Sequence, residues 1–232
     1  MVEHYAIRPL SAMWTAGVAS SIVFISLAIV WARRSDAGAS ARLCKIFGAI
    51  LLAEIAATHF YVAFVRGTWS FQDSLPLHLC RLSAIIAAVS LLSRHQSIYE
   101  WTVYLGIPSG FHSIMTPELT QGRTPWLLFD YYFVHASLIA IPIVTTILNH
   151  WRPRKWGWLR MFLAVNCVAV FVFLVNFLVD ANYMYLAKKP IAANPFLIGE
   201  WPWYIMGLEA AGVIHVLTMH GIFSAALGRQ PD

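Results

Sequence analysis

The chain has 232 residues, of which 59% are hydrophobic and only 12% charged, and its mean hydropathy is +0.64. That balance is too apolar for a soluble domain of this length, so lipid is the solvent its outer faces must meet. The formal charge of +5 and the pI near 9.3 arise from scattered basic residues without a basic domain, which fits anchoring beside anionic lipid and excludes a nucleic-acid-binding class.

Seven continuously apolar runs follow one another: Ser11 to Ala32, Ile46 to Val65, Leu75 to Ser93, Ile98 to Met115, Phe129 to Asn149, Arg160 to Asp180 and Trp203 to Ser224. Each has about 18 to 22 residues, the length a helix needs to cross a hydrocarbon core about 30 Å thick. None shows the alternation of a barrel strand, so backbone hydrogen bonds must close within each segment. The expected fold is an all-α polytopic membrane protein, one seven-transmembrane-helix bundle over residues 1–232. Its first run is longer than a signal-peptide core and ends in Trp31, Ala32, Arg33 and Arg34, so it reads as an uncleaved anchor.

Counting Lys and Arg on alternate loops orients the bundle. Ten fall on one side, among them Arg33, Arg34, Arg94, Arg154, Lys155 and Arg229, and five on the other: Arg8, Arg66, Arg123, Lys188 and Lys189. The N-terminus is expected outside and the C-terminus in the cytoplasm. All ten tryptophans fall at proposed span ends, Trp14, Trp69 and Trp126 on the outer side and Trp31, Trp101 and Trp151 on the inner, the level this side chain favours.

Polar residues inside these spans define a site before they define a reaction. His59, Cys80, His112 and His135 come from four spans, yet each lies about four to six residues below the outer end, roughly 6 to 9 Å deep. A single histidine of this kind more often packs against a carbonyl; four at one depth suggest a shared cavity. His78 and Arg81 share a face of the third span. Asn176 and Asp180 share a face of the sixth at i,i+4, and Asn182 and Tyr183 continue it outward. Glu54 lies deeper, and its simplest role is an ion pair with Arg81 or a polar contact between helices. The connections Thr116 to Asp130 and Ala181 to Pro202, the latter carrying Asn194 and Pro195, are candidates to cap an outward-facing cavity. Of the three cysteines, Cys80 is too far from Cys44 and Cys167 for a disulfide and sits near a helix N-terminus, which favours thiolate.

Three histidines, a cysteine and carboxylates also invite comparison with zinc-dependent seven-span hydrolases of the ceramidase and adiponectin-receptor type, which carry His-x-x-x-His on the last helix. Here His215 and His220 are five apart, about 140° around the helix, and that pattern fails. No metal and no cofactor are expected.

The run Leu75-Pro76-Leu77-His78-Leu79-Cys80, the segment Phe133-Val134-His135, and Asn176-Phe177 followed by Asn182-Tyr183-Met184-Tyr185-Leu186 and Lys189-Pro190 resemble the YwaF-like bacterial integral membrane proteins. The resemblance covers roughly Leu75 to Tyr204 and implies a bacterial inner-membrane location. More remotely the layout resembles the eukaryotic transmembrane acyltransferases associated with polyunsaturated ether phospholipids and the androgen-induced hydrolases of fatty acid esters of hydroxy fatty acids. The acyltransferases are thought to use a Cys and His pair, which falls on Cys80 and His135; the hydrolases use Thr and His, a pattern from which Cys80 departs. The resemblance thus implies acyl chemistry on membrane lipids, with Cys80 as nucleophile, His135 as base, and His59, His78, Arg81, His112, Asn176, Asp180, Asn182 and Tyr183 binding or supporting. Two other readings compete: a small-solute transporter or receptor with an outward-facing polar cavity, and a zinc-dependent membrane hydrolase.

Overall fold

The computed structural model describes residues 4–93, 95–191 and 196–227; Arg94, Asn194, Pro195 and Arg229 lie outside the described residues. The described residues form seven helical columns. The first is α1 (Ala12–Arg34) and the second α2 (Ala37–Phe60), which continues through a π turn at Tyr61–Val65. Next come α3 (Leu79–Ser93) and a column built from α4 (Gln96–Trp101), a second π turn (Thr102–Gly106) and α5 (Ile107–Met115). The last three are α6 (Pro125–Asn149), α7 (Gly157–Val179) and α8 (Trp203–Leu227). Five columns, those of α1, α2, α6, α7 and α8, are long and apolar enough to cross a membrane, whereas α3 is a shorter apolar helix.

Capping chemistry sets several boundaries away from the hydropathy edges. The Ser11 side chain accepts from the Trp14 N–H and starts α1. Thr124 does the same for α6 through Leu127, and Pro125 occupies the first helical position, where its missing N–H costs nothing. α6 therefore starts four residues before Phe129. α2 begins nine residues before Ile46 because Ala37, Ala39 and Ala41 extend the helix toward Asp36, alanine being the best helix former. α3 starts later than expected, at Leu79, because Leu75 and Pro76 make a tight turn closed by the Leu77 N–H on the Leu75 carbonyl (2.8 Å).

α6 is the centre of the bundle. About two thirds of its apolar window is buried, against 11% for α1 and α7, and α1, α2, α3 and α5 all pack on it. Ala84, Ala87 and Ala88 on α3 keep that helix slim, so Leu51 and Ile55 of α2 close on Val134, Leu138 and Ile141 of α6. In lipid such contacts hold by van der Waals packing more than by exclusion of water. Trp101 is an exception to the interfacial pattern, being buried against α3 with its indole N–H donating to Ser83 Oγ (3.0 Å). α7 presents Phe171, Phe177 and Leu178 outward, as a lipid-facing helix must. α1 packs mainly along α6, leaving an apolar groove of about 430 Å³ walled by Phe24, Leu27, Phe47, Ile50 and Val144.

At one end of the bundle a short antiparallel ladder joins β1 (Tyr5–Ala6) to β2 (Glu118–Leu119), with Tyr5 opposite Leu119 and Ala6 opposite Glu118. This end carries the polar cavity.

Candidate functional site

A cavity of about 290 Å³ opens among α2, α3, α5 and α6. Its wall includes Thr58, His59, His78, Cys80, Arg81, His112, Asp130, Tyr131 and His135, and its roof includes Asp73, Glu118, Gln121, Met184 and Tyr185. Cys80 is the second residue of α3. The first-turn N–H groups there have no partner within the helix.

His135 is buried on α6. Its Nδ1 lies 2.6 Å from the Tyr131 carbonyl oxygen one turn earlier. A carbonyl only accepts, so Nδ1 carries the hydrogen and Nε2 is the bare nitrogen. Nε2 is buried with no hydrogen-bond partner among the described residues. The thiol of Cys80 and this imidazole share the cavity wall without a hydrogen bond between them. Gly110 on α5 brings that helix against α6 at the same level, since a Cβ there would stand 2.6 Å from the His135 carbonyl oxygen.

The charges at this end are arranged around Asp130. Both its oxygens accept from the Arg81 guanidinium, at 2.8 and 2.7 Å, the planar fork that suits a carboxylate. Thr58 Oγ1 lies 3.1 Å from both Asp130 Oδ1 and Glu54 Oε1 and accepts from the Trp126 indole N–H (2.9 Å). The expected Glu54–Arg81 ion pair gives way to this arrangement: the fork already holds Arg81, and Glu54 is bridged through Thr58. Its Oε2 is buried and without a partner among the described residues.

The remaining histidines each bond a neighbouring element. Trp69 donates to His59 Nδ1 (3.4 Å), and the Met184 N–H donates to His78 Nδ1 (3.3 Å). His78 packs between the rings of Tyr183 and Tyr185. His112 meets His215 of α8 nitrogen to nitrogen at 2.7 Å.

Asn176, Asp180, Asn182 and Tyr183 stand outside the cavity wall and act on its roof. Asp180 is exposed and left-handed (φ 51°), ending α7, so the helical stripe from Asn176 does not continue. Instead Asn176 clasps Tyr183, accepting from its N–H and donating to its carbonyl, both at 2.9 Å. The Tyr183 hydroxyl donates to the Phe71 carbonyl and accepts from the Leu75 N–H. Asn182 accepts from the N–H groups of Ala187 and Lys188. The clasp holds Met184 and Tyr185 at φ 57° and 55°, a left-handed conformation that costs of order 1–3 kcal/mol for such residues unless the surroundings impose it. Both then face the cavity.

The roof is tied down at several points. Glu118 receives His4 Nδ1 at 3.1 Å, and this hydrogen bond raises the His4 pKa above its ordinary 6.5. Arg66 donates to the Gln121 carbonyl, and the Gln121 amide donates to the Asp73 carbonyl. Burial, with the Glu118 carboxylate nearby, pushes the Tyr185 phenol up; burial pushes that of Tyr183 up to about 12. Among the described residues no group of three His, Cys, Asp or Glu side chains converges as a metal would require.

The polar wall also contains residues the sequence reading passed over. Asp130, Thr58, Tyr131 and Glu118 were assigned to a span end or a loop, or not singled out. The dipeptide Thr124-Pro125 was the available signal: read as a cap and first helical residue, it places Asp130 well inside α6.

The chain belongs to the TMEM164 family, a transmembrane protein family whose pattern matches residues 4–220. No curated protein and no solved structure matches it. Together with its apolar helices, this makes it a multi-pass membrane protein.

Proposed function

We propose that this TMEM164-family protein is a thiol-dependent lipid acyltransferase or lipid ester hydrolase, with Cys80 as nucleophile and His135 as base. One observation carries the reading. Cys80 at a helix N-terminus and a histidine with its hydrogen fixed on Nδ1 and a bare, buried Nε2 line the same cavity. A sealed acceptor nitrogen with nothing to accept from has a use when a thiol proton arrives.

In this mechanism His135 Nε2 takes the Cys80 proton and the thiolate attacks the ester carbonyl of a membrane lipid. The C–O bond breaks, the departing alcohol takes the proton from His135, and the acyl group rests on sulfur as a thioester. Water or a lysolipid hydroxyl then attacks the thioester and the thiolate leaves. Arg81, held by Asp130, keeps a fixed cation in the wall beside the nucleophile. The cavity end is assigned to the outside of the cell membrane by the basic-residue asymmetry; cysteine tags at Tyr5 and Arg154 should react from opposite sides.

The test is labelling of the detergent-solubilised protein with a reactive acyl ester. Wild type should acquire one acyl group, and Cys80→Ala and His135→Ala should acquire none. Equal labelling of Cys80→Ala would remove the reading. A solute carrier is the competing reading, favoured by the buried Arg81–Asp130 pair and the unpartnered Glu54 oxygen, since charged groups in a bundle interior mark solute and proton paths. It calls for uptake into proteoliposomes that survives Cys80→Ala and fails in Asp130→Asn.

A further inference from the structure

His112, another imidazole of the cavity wall, also has its hydrogen placed by the fold. On α8, His215 Nδ1 lies 2.5 Å from the Ala211 carbonyl oxygen one turn back. That carbonyl only accepts, so Nδ1 carries the hydrogen and Nε2 of His215 is bare. The bare nitrogen sits 2.7 Å from Nε2 of His112, which must then be the donor. His112 is thereby left with Nδ1 as its free base, and among the described residues that nitrogen has no hydrogen-bond partner. The order is that of a catalytic relay, in which a rear group fixes the tautomer and direction of a front imidazole. His112 lines the cavity with Cys80 and His135; His215 does not.

The two bases differ in access. Nε2 of His135 is closed off, whereas His112 is only half-buried and lies on α5 four residues before the connection over the cavity begins at Thr116. A closed-off base suits the thiol already in the wall, and a half-buried one is open to a group that enters later.

We propose that His112 is the base of the second half-reaction, taking the proton from the hydroxyl of the incoming acyl acceptor, with His215 as its positioning residue. The proposal rests on the Cys80–His135 reading. In the step, the acceptor O–H bond breaks and its hydrogen goes to His112 Nδ1. The oxygen bonds to the thioester carbonyl carbon, the C–S bond breaks, and Cys80 departs as thiolate. The proton on His112 then returns through the cavity to the thiolate, resetting both side chains with no oxidant or reductant.

The experiment separates the two half-reactions in the purified full chain. A chromogenic acyl ester supplies the donor, and a lysophospholipid is added once the acyl-enzyme has formed. His112→Gln should acylate within about twofold of wild type and discharge to the lysophospholipid about 100-fold more slowly, the scale of a lost general base. Its discharge rate should also lose the rise with pH that a titrating imidazole imposes. His215→Leu should slow discharge likewise, and His215→Gln, whose amide oxygen can accept from His112, should restore much of it. Wild-type discharge by His112→Gln would overturn the proposal while leaving the dyad standing. Equal slowing of both half-reactions, or no rescue by His215→Gln, would overturn it in favour of a helix-bridging contact. Absence of any acyl-enzyme in wild type would bring down the underlying reading instead.

Discussion

Two arginine–carboxylate pairs lie at opposite ends of this bundle, and they are built to different ends. At the far end Glu100 is fully buried and saturated. Its Oε1 accepts from the Arg154 N–H (2.8 Å) and Nε (3.0 Å), and its Oε2 accepts from the second guanidinium nitrogen (2.6 Å). Arg160 stands 3.8 Å away. Even Gly157 serves the fit, since a Cβ there would come within 2.8 Å of Glu100 Oε1. At the cavity end Arg81 and Asp130 form an equally good fork, but around it polar atoms have no partner among the described residues: Glu54 Oε2, His135 Nε2 and the Gln121 amide oxygen. A closed polar centre locks the connection between α6 and α7 onto α4; an open one leaves capacity for a ligand.

The largest separation should come from Cys80→Ala, which is expected to reduce acyl transfer at least about 1,000-fold, as loss of a covalent nucleophile does, while the thermal midpoint in detergent stays close to wild type. A midpoint that collapsed with activity would make Cys80 a packing residue. Glu100→Ala should do the reverse. Losing its hydrogen bonds to Arg154 is expected to lower unfolding stability by about 1.5–3 kcal/mol, read by denaturant titration in detergent, with activity per folded molecule unchanged. Asp130→Asn should fall between the two, costing about 1–3 kcal/mol in hydrogen bonding to a charged group and lowering activity through the freed Arg81. If Asp130→Asn and Glu100→Ala gave the same ratio of stability loss to activity loss, the distinction between the two ends would fail.

The smallest effect belongs to the His4–Glu118 latch. Because Glu118 raises the His4 pKa above 6.5, the stability the pair contributes is fully present below pH 6.5, the unfolded-state value. It is lost as pH rises through the higher folded-state value. The pair is partly exposed and should contribute on the scale of a surface ion pair, about 0.2–1 kcal/mol. The difference in thermal midpoint between wild type and His4→Gln should therefore shrink as the pH is raised; a difference that grew with pH would reverse the assignment.

The contrast between the ends also governs what the sequence made legible. Helix rise alone was enough to bring His59, Cys80, His112 and His135 to one level, because all four sit near the same end of long apolar columns, and the structure lines one cavity with them. Partner choice was not legible. Glu54 and Arg81 are the obvious opposite charges, yet Asp130 takes Arg81 once Thr124 and Pro125 start α6 early. The Asn176 to Tyr183 stripe failed for a local reason, since periodicity assumes a continuing helix and Asp180 turns left-handed. Glu100 escaped notice because Arg154 reaches it from a loop, and hydropathy gives no measure of which loop folds back.

The β1–β2 ladder adds a timetable. Tyr5 pairs with Leu119, and α1, which leaves the ribosome well before α6, finds its main neighbour there. More than half of the chain must be synthesised before either contact can form. Until then α1 waits in the bilayer, with only 11% of its apolar window buried even in the finished bundle, a helix suited to lipid company. The roof cannot close over Cys80 and His135 until β1 finds its late partner β2, so a nascent chain stalled before β2 has made its thiol and has no chamber around it.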